Sequence, residues 1–350
     1  MQETNEQDKT LFQQNDKLLN LIKKDGDKQT KVAIFSHIFP DADALCSSLA
    51  IKNLIQDNFP NAFADVFVST EIDELYDLIL RDEVVNPSIR CQNYDVAFVL
   101  DCPNLNRTGN LANEILKTIP KENVINIDHH STNEFFGGLN MVAPRCSSTC
   151  EVIYLMATKR YNWKVSDKAA KELFQGIITD TNLLQSLPID KRTFKVLSEL
   201  TNNFNFDHKA IMNYYSTHSF QKARLNSKAL STQKLYADGK LITMEITNET
   251  LKRLNVKRED TMGIVDHGLK IDGTILSALF IEEEPEKFYV SIRSNGEVNA
   301  GEIAVNFNGG GGQTQAAYQA GGNLKEIKQQ LIDFVSPQLS LIEPSQDLRF

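Results

Sequence analysis

The sequence predicts an α/β fold, with a parallel sheet in its N-terminal part and a smaller α/β domain after it. Short apolar runs alternate with helical patterns between residues 32 and 180. The apolar runs are nearly continuous, which is typical of parallel strands covered on both faces. The chain has 350 residues, and a single core usually stops growing at about 250–300 residues. Two domains are therefore expected.

The first domain is predicted to span residues 1–190. It begins with a polar stretch over residues 1–30 that contains one short amphipathic helix, with Leu11, Leu18, Leu19 and Ile22 on one face. The predicted strands are Val32–Phe35, Val66–Val68, Val96–Leu100, Val124–Ile127 and Leu139–Val142. The predicted helices are Ala44–Phe59, Glu71–Leu80, Leu111–Ile119, Ser147–Thr158 and Ser166–Thr179.

A polar helical stretch over residues 191–230 has no strand signals and is predicted to connect the two domains. The second domain, residues 231–350, is expected to contain a mixed sheet. Its predicted strands are Leu241–Ile246, Ile275–Ile281 and Phe288–Ile292, with a turn at Pro285. A glycine run, Gly309–Gly312, comes next, and a final helix is predicted over Leu324–Val335.

Composition excludes several classes of protein. The formal net charge of −9 argues against a broad surface for long duplex nucleic acid, although it allows a local site for a small anion. No apolar window approaches the length of a membrane span, and no signal-peptide pattern is present. The five cysteines lack the spacing of a disulfide scaffold. We therefore expect a cytoplasmic protein without a membrane partner, and a homodimer is compatible with these features.

Acidic residues and histidines follow the predicted strands at the points where those strands end. His37, Asp41 and Asp43 come after the first strand, Asp101 after the third and Asp128-His129-His130 after the fourth, and Asp180 ends a helix. Ligands of open α/β sheets bind at the carboxyl ends of the strands. An isolated acid in such a place is more often a turn or cap residue, and either Asp41 or Asp43 could cap the following helix.

Carboxylates gathered at one rim would repel one another strongly unless cations neutralise them. Mixed carboxylate and imidazole ligands suit Mn²⁺, and in part Mg²⁺. Six ligands with one shared acid suit two metal ions about 3.5–4 Å apart, an arrangement used in phosphoryl chemistry. The residues thus predict a two-metal site at this rim.

These motifs carry a resemblance to a known family. Asp41-Ala42-Asp43, Asp101, Asp128-His129-His130 and Asp180 resemble the four ordered motifs of the DHH phosphoesterases. Ser291-Ile292-Arg293-Ser294 and the stretch Gly309–Ala317 resemble the C-terminal domain associated with that family. The resemblance covers nearly the whole chain.

The resemblance implies two Mn²⁺ ions, with Mg²⁺ as the alternative. By this resemblance His37 and Asp41 bind one ion, while Asp43, His129 and Asp180 bind the other. Asp101 bridges the two ions, and Asp128 orients an imidazole. The implied catalytic residues are Asp101 and His130, and His130 is expected to face the substrate phosphate.

Substrate-binding residues are implied in both domains, with the active site in the cleft between them. They are His130, Arg293, Gly310, Gly311, Gly312 and Gln313. The family usually has histidine after the glycines, so Gln313 is a departure that leaves the substrate open. Ser147, Ser148 and Thr149 match a stretch beside the family's site, and capping of the next helix explains them equally well.

The implied function is metal-dependent hydrolysis of short oligonucleotides to nucleoside 5′-monophosphates, with pAp phosphatase as a further activity. The substrate partner is then a short RNA or nucleotide. One alternative is a phosphodiesterase acting on cyclic di-AMP or linear dinucleotides. The other is a nucleotide-binding regulatory protein that has lost catalysis, suggested by Gln313.

Overall fold

The computed structural model describes residues 15–23, 29–72, 76–81, 83, 85, 93–185 and 189–342. The chain divides into two compact units between Thr217 and His218. Three features of the sequence prediction fall outside the described residues: Leu11 of the first helix, positions 73–75 of the helix predicted over Glu71–Leu80, and Cys91.

The first unit contains one sheet and the helices that cover it. Its strands are β1 (Thr30–Phe35), β2 (Ala62–Phe67), β3 (Val96–Leu100), β4 (Val124–Asp128) and β5 (Leu139–Val142). Its helices are α1 (Asn15–Ile22), α2 (Ala42–Asn58), α3 (Asp77–Leu80), α4 (Gly109–Leu116), α5 (Thr149–Leu155), α6 (Asp167–Asp180), α7 (Lys191–Asn203) and α8 (His208–Ser216). Each of the five strands predicted for this unit is present.

The sheet of the first unit is parallel throughout, in the order β2-β1-β3-β4-β5. The chain leaves β1 toward one edge and returns to place β3 on its other side. This reversal between β1 and β3 is a topological switch point, where the loops diverge and leave room for a ligand. The predicted parallel sheet is confirmed.

Both faces of this sheet are buried, as the continuous apolar runs predicted. Val32 and Ile34 of β1 join one core cluster, whereas Ala33 and Phe35 join another. Successive side chains of a strand point to opposite faces. An unbroken apolar run is therefore the pattern that a strand covered on both sides requires.

The second unit has a six-stranded sheet in the order β10-β11-β9-β8-β7-β6. Its strands are β6 (Lys234–Tyr236), β7 (Leu241–Ile246), β8 (Leu276–Glu284), β9 (Lys287–Ser294), β10 (Gly310–Gly311) and β11 (Gln315–Gly321). Its helices are α9 (Phe220–Leu230), α10 (Asn248–Leu254), α11 (Ala300–Asn306) and α12 (Leu324–Ser340). Only β7 and β8 pair in parallel, so the predicted mixed sheet is confirmed. No helix within the described ranges is long and apolar enough to span a membrane.

A buried polar contact joins α2 to α6. The Asn53 amide donates hydrogen bonds to both carboxyl oxygens of Glu172, at 2.8 and 2.9 Å, and to Glu83 at 3.2 Å. Burial raises the pKa of Glu172 well above its usual value, because the apolar surroundings disfavour the charged carboxylate. The contact fixes the two helices whose ends carry Asp43 and Asp180.

Asn53→Ala is expected to lower the free energy of unfolding by about 2 kcal/mol, because a buried carboxyl loses its donor. Urea denaturation measures this effect. The matched control is Asn202→Ala on an exposed part of α7, which should change stability by less than about 0.5 kcal/mol. Equal effects of the two substitutions would contradict the structural role of Asn53.

Close packing at Gly176 brings α6 against the starts of α2 and α5. A Cβ atom at Gly176 would lie 2.2 Å from Cys150 Sγ and 2.7 Å from Asp43 Oδ1. Real Cβ atoms do not approach heavy atoms so closely, so only glycine fits this position without a shift of its neighbours.

Gly176→Ala is therefore expected to destabilise the protein by about 2 kcal/mol, although alanine is the better helix former. Combining it with Cys150→Ala removes the nearest atom and should recover part of the loss. Gly321→Ala is the control, since its Cβ would meet only a carbonyl oxygen at 3.7 Å. A stabilised Gly176→Ala variant in urea denaturation would show that the helices can separate freely.

Candidate functional site

The residues predicted as metal ligands lie together in the first unit. β1, β3 and β4 run parallel and neighbour one another, so the residues after them meet at the carboxyl edge of the sheet. Asp43 in the first turn of α2 and Asp180 at the end of α6 reach the same place. The site therefore lies beside the switch point of the sheet.

One set of ligand atoms contains His37, Asp41 and Asp101. His37 Nε2 lies 3.6 Å from Asp101 Oδ2 and 3.9 Å from Asp41 Oδ2. The other ring nitrogen of His37, Nδ1, is 2.9 Å from the Ile38 carbonyl. That carbonyl accepts from Nδ1–H, so the proton is fixed there and Nε2 is free to bind a cation.

The second set contains Asp43, His129 and Asp180. His129 Nε2 lies 3.4 Å from Asp180 Oδ2 and 3.6 Å from Asp101 Oδ1. Asp43 is fully buried, and its carboxylate accepts hydrogen bonds from the backbone N–H groups of Thr149 and Cys150, at 2.7 and 3.1 Å. The start of α5 therefore neutralises part of the charge of Asp43.

The helix cap proved to be Asp41, whose Oδ1 accepts from Ala44 N at 3.0 Å. Its Oδ2 is the oxygen that faces His37. One carboxylate thus serves both as a cap and as a candidate ligand. The sequence allowed either acid to cap the helix. In the structure, Asp43 packs against the start of α5 and does not act as the cap.

Asp101 lies between the two sets and contacts histidines from both. Its side chain is buried, and Thr149 Oγ1 donates a 2.9 Å hydrogen bond to its Oδ1. Its backbone has a φ of 55°, in the left-handed region that non-glycine residues rarely adopt. The fold thus holds this buried, strained residue between His37 and His129, with 3.6 Å from its carboxylate to each imidazole.

Asp128 supports His130 rather than His129. His130 Nδ1 donates to Asp128 Oδ1 at 2.8 Å, and Asn133 holds the other oxygen at 2.6 Å. His129 contacts Asp128 only through its backbone N–H. The half-exposed His130 ring therefore presents Nε2 outward, and its hydrogen bond to Asp128 raises its pKa to about 9.

Ser147, Ser148 and Thr149 serve both of the roles that the sequence allowed. Ser148 caps α5 by accepting from Glu151 N at 3.0 Å, while Thr149 contacts Asp43 and Asp101. No sequence pattern pointed to the hydrogen-bond network behind this turn. The buried Glu151 accepts from the backbone and hydroxyl of Ser147, at 2.7 and 2.6 Å, and from Arg192 Nε at 2.8 Å.

Electrostatics favour a cation at this site. Burial, with the nearby charges of Asp101 and Asp41, raises the pKa of Asp180 to about 8. Burial and the charges of Asp101 and Asp180 likewise raise the pKa of Asp43 well above its usual value. Carboxylates that ionise so reluctantly gain most from a divalent ion. The set of His37, Asp41 and Asp101 and the set of Asp43, His129 and Asp180 fit such ions in chemistry, and Asp101 Oδ1 lies 3.6 Å from His129 Nε2 of the second set.

The predicted substrate residues of the second unit line a pocket within that unit. The pocket has a volume of about 440 Å³, and its lining includes Arg293 and residues 310–312. Arg293 Nε pairs with Asp266 at 3.1 Å, a partner that the sequence had not suggested. Gly311 has a φ of 152°, and a Cβ there would lie 2.4 Å from Ala316 Cα, so this turn requires glycine.

Gln313 does not line this pocket. Its side chain is exposed, with Nε2 3.4 Å from the Gly296 carbonyl, and its own carbonyl accepts from Ala300 N at 2.8 Å. It borders a neighbouring depression together with Asn299 and Glu302. Gly311 and Gly312 separate the two concavities and line both of them.

Comparison with known proteins agrees with this geometry. Residues 31–179 match the N-terminal domain of the DHH family, and residues 238–340 match the DHHA1 domain. A Streptococcus mutans protein named as a probable bifunctional oligoribonuclease and PAP phosphatase is 28% identical over 280 residues, which covers 80% of this chain and 86% of the relative. The Bacillus subtilis protein of that name is 27% identical over 284 residues, covering 80% of this chain and 86% of the relative.

A cyclic-di-AMP phosphodiesterase of Listeria monocytogenes is 26% identical, over 87% of this chain and 47% of the relative. The crystal structure of an exopolyphosphatase-related protein from Bacteroides fragilis superposes with a TM-score of 0.80 at 23% identity, covering 93% of this chain and 96% of that one. That superposition supports the fold. The chain therefore carries the N-terminal domain of the DHH family and, after it, a DHHA1 domain.

Proposed function

We propose that the protein is a metal-dependent phosphodiesterase that hydrolyses short oligoribonucleotides to nucleoside 5′-monophosphates. The observation that carries this proposal is the pair of adjacent ligand sets, with the buried Asp101 in one set and 3.6 Å from His129 of the other. Two cations held so close together are suited to in-line displacement at phosphorus. The similarity to proteins named as oligoribonucleases supports the choice of substrate.

In this proposal His37, Asp41 and Asp101 would hold one Mn²⁺ ion, Asp43, His129 and Asp180 would hold the other, and Asp101 would be the ligand shared by both. Mg²⁺ is the alternative for both. When bound, the ions supply Lewis acidity and lower the pKa of a coordinated water. The protein fixes its ligands through the hydrogen bonds that Thr149, Cys150 and Ile38 make with them.

His130 is proposed to act on the substrate phosphate. Asp128 holds its Nδ1 proton, so the ring presents Nε2 as a second donor while it is protonated. The raised pKa keeps the imidazolium populated at neutral pH. The ring can then stabilise negative charge on a phosphate oxygen or give a proton to the leaving oxygen.

Arg293 and the turn Gly310–Gly312 are proposed to bind the nucleotide, because the pocket they line combines a guanidinium with exposed backbone. Asp266 holds Arg293 in position and lowers its net charge locally. Gln313, which borders the neighbouring depression beside this pocket, is proposed to weaken binding of a terminal phosphate. For a substrate of this kind, we propose that the activity takes place in the cytoplasm.

Three substrates separate the candidate activities when each is incubated with the full chain and Mn²⁺. Release of mononucleotide from a two-nucleotide RNA supports the oligoribonuclease proposal. Faster turnover of pAp would assign the protein to phosphatase chemistry, and faster turnover of cyclic di-AMP would favour the activity named for the Listeria relative. Absence of turnover on all three with metal bound would favour a regulatory protein.

Asp101→Asn is expected to reduce turnover by more than about 100-fold, because one ligand set loses a carboxylate and the other loses the negative charge beside His129. Added Mn²⁺ should raise the melting temperature of the wild type more than that of the variant. Asparagine tolerates the left-handed backbone, so the fold should persist. Asp95→Asn, at the opposite end of β3, is the matched control and should behave as wild type. A fully active Asp101→Asn variant would place the site elsewhere.

Gln313→His is expected to raise the preference for pAp over a two-nucleotide RNA about tenfold, measured as the ratio of kcat/KM values. Imidazole can carry a charge, and charged hydrogen bonds to phosphate are stronger than neutral ones. The control is Gln319→His, another exposed glutamine, on β11. An unchanged ratio would remove Gln313 from the substrate site.

A further inference from the structure

Two phenylalanines near the ligand sets are unusually exposed. Phe39 has 74% of its surface exposed, and Phe135 has 61%. Burial of a phenylalanine ring normally stabilises the folded protein, and these two exposed rings do not contribute that stabilisation. Exposed aromatic side chains beside a site for polyanionic substrates suggest a role in binding.

The fold holds Phe39 in a strained backbone between two ligands of one set. Its φ is 52°, which is rare for a bulky residue, and it lies between His37 and Asp41 in the chain. Its N–H donates to Thr70 Oγ1 at 2.8 Å, and the N–H of Ile38 donates to the Arg107 carbonyl at 2.7 Å. The ring is thus exposed on a fixed loop.

Phe135 has the same backbone strain, with a φ of 52°. Its N–H donates at 2.7 Å to the side chain of Asn133, and this same side chain holds Asp128. The N–H of Glu134 donates to the Pro103 carbonyl at 2.8 Å. One buried asparagine therefore fixes both the carboxylate behind His130 and the loop that carries the ring.

The two loops flank Asp101. Strand β3, which precedes Asp101, lies between β1 and β4 in the sheet. The Phe39 loop follows β1 and binds the segment after Asp101 at Arg107, whereas the Phe135 loop follows β4 and binds that segment at Pro103. The loops that carry the two rings therefore lie on opposite sides of the segment that follows Asp101.

We propose that Phe39 and Phe135 are stacking positions for the two nucleobases that flank the scissile phosphate. Every base has an aromatic face, so stacking would bind short RNA without reading its sequence. The site would then favour substrates with a base on each side of the reacting bond over substrates with a single base. This inference rests on the proposed function, because it places the scissile phosphate at the candidate metal centre.

The kinetic test uses Phe39→Ala and Phe135→Ala with a two-nucleotide RNA and with its two abasic analogues, each lacking one base. Each variant should raise the KM for the intact RNA about tenfold and change kcat less than twofold. Each should equal the wild type on the analogue that lacks the base it stacks on. Phe39→Tyr and Phe135→Tyr, which keep the ring, should restore the wild-type KM.

Phe194→Ala is the matched control, since Phe194 is 56% exposed on α7 and belongs to neither of the two loops. Binding of the same RNAs by calorimetry, with Ca²⁺ replacing Mn²⁺, measures stacking separately from turnover. Loss of affinity in the alanine variants that depends on the base would support stacking even if the wild type proved inactive. Unchanged affinity and KM, or an equal loss with the abasic analogues, would overturn the proposal and leave a protein partner as the occupant of these rings.

Discussion

The site depends on how the fold keeps several carboxylates close together around Asp101. Histidines from two strands approach this buried acid, and the Thr149 hydroxyl donates to it. Backbone N–H groups at the start of α5 do the same for Asp43. These donors offset only part of the repulsion, since the pKa of Asp180 still rises to about 8. The remaining negative potential is what gives the site its affinity for cations.

The rest of the first unit maintains this crowded arrangement. The parallel sheet delivers strand ends to one edge, and α2 and α6 supply acids from the side. Gly176 allows these helices to approach, and Asn53 ties them together at their far ends. Arg192 and Glu151 hold the turn before α5 from behind. Repulsion among the ligands is therefore opposed by packing and hydrogen bonds made elsewhere.

Under the proposed function the second unit recognises a flexible anionic nucleotide, which is a different physical demand. Its pocket offers one guanidinium, which Asp266 already holds in place. A phosphate arriving there meets a pre-oriented arginine, so less side-chain entropy is lost on binding. The glycine turn adds backbone N–H groups without side chains in the way. The neutral Gln313, which lies beside this pocket, adds no positive charge there and cannot donate a proton as an acid.

Sequence patterns predicted the class of fold, the five strands of the first unit, three strands of the second unit and the set of candidate ligands. Those signals are local, since periodicity and strand-end residues such as Asp101 are read from neighbouring positions. The sequence patterns did not predict small, weakly apolar strands such as Gln315–Gly321. Three features became apparent only from tertiary contacts: Asp41 caps α2, Asp128 supports His130 and Gly176 must lack a side chain. These outcomes depend on contacts between distant residues, such as Asp43 with Thr149, which no local pattern encodes.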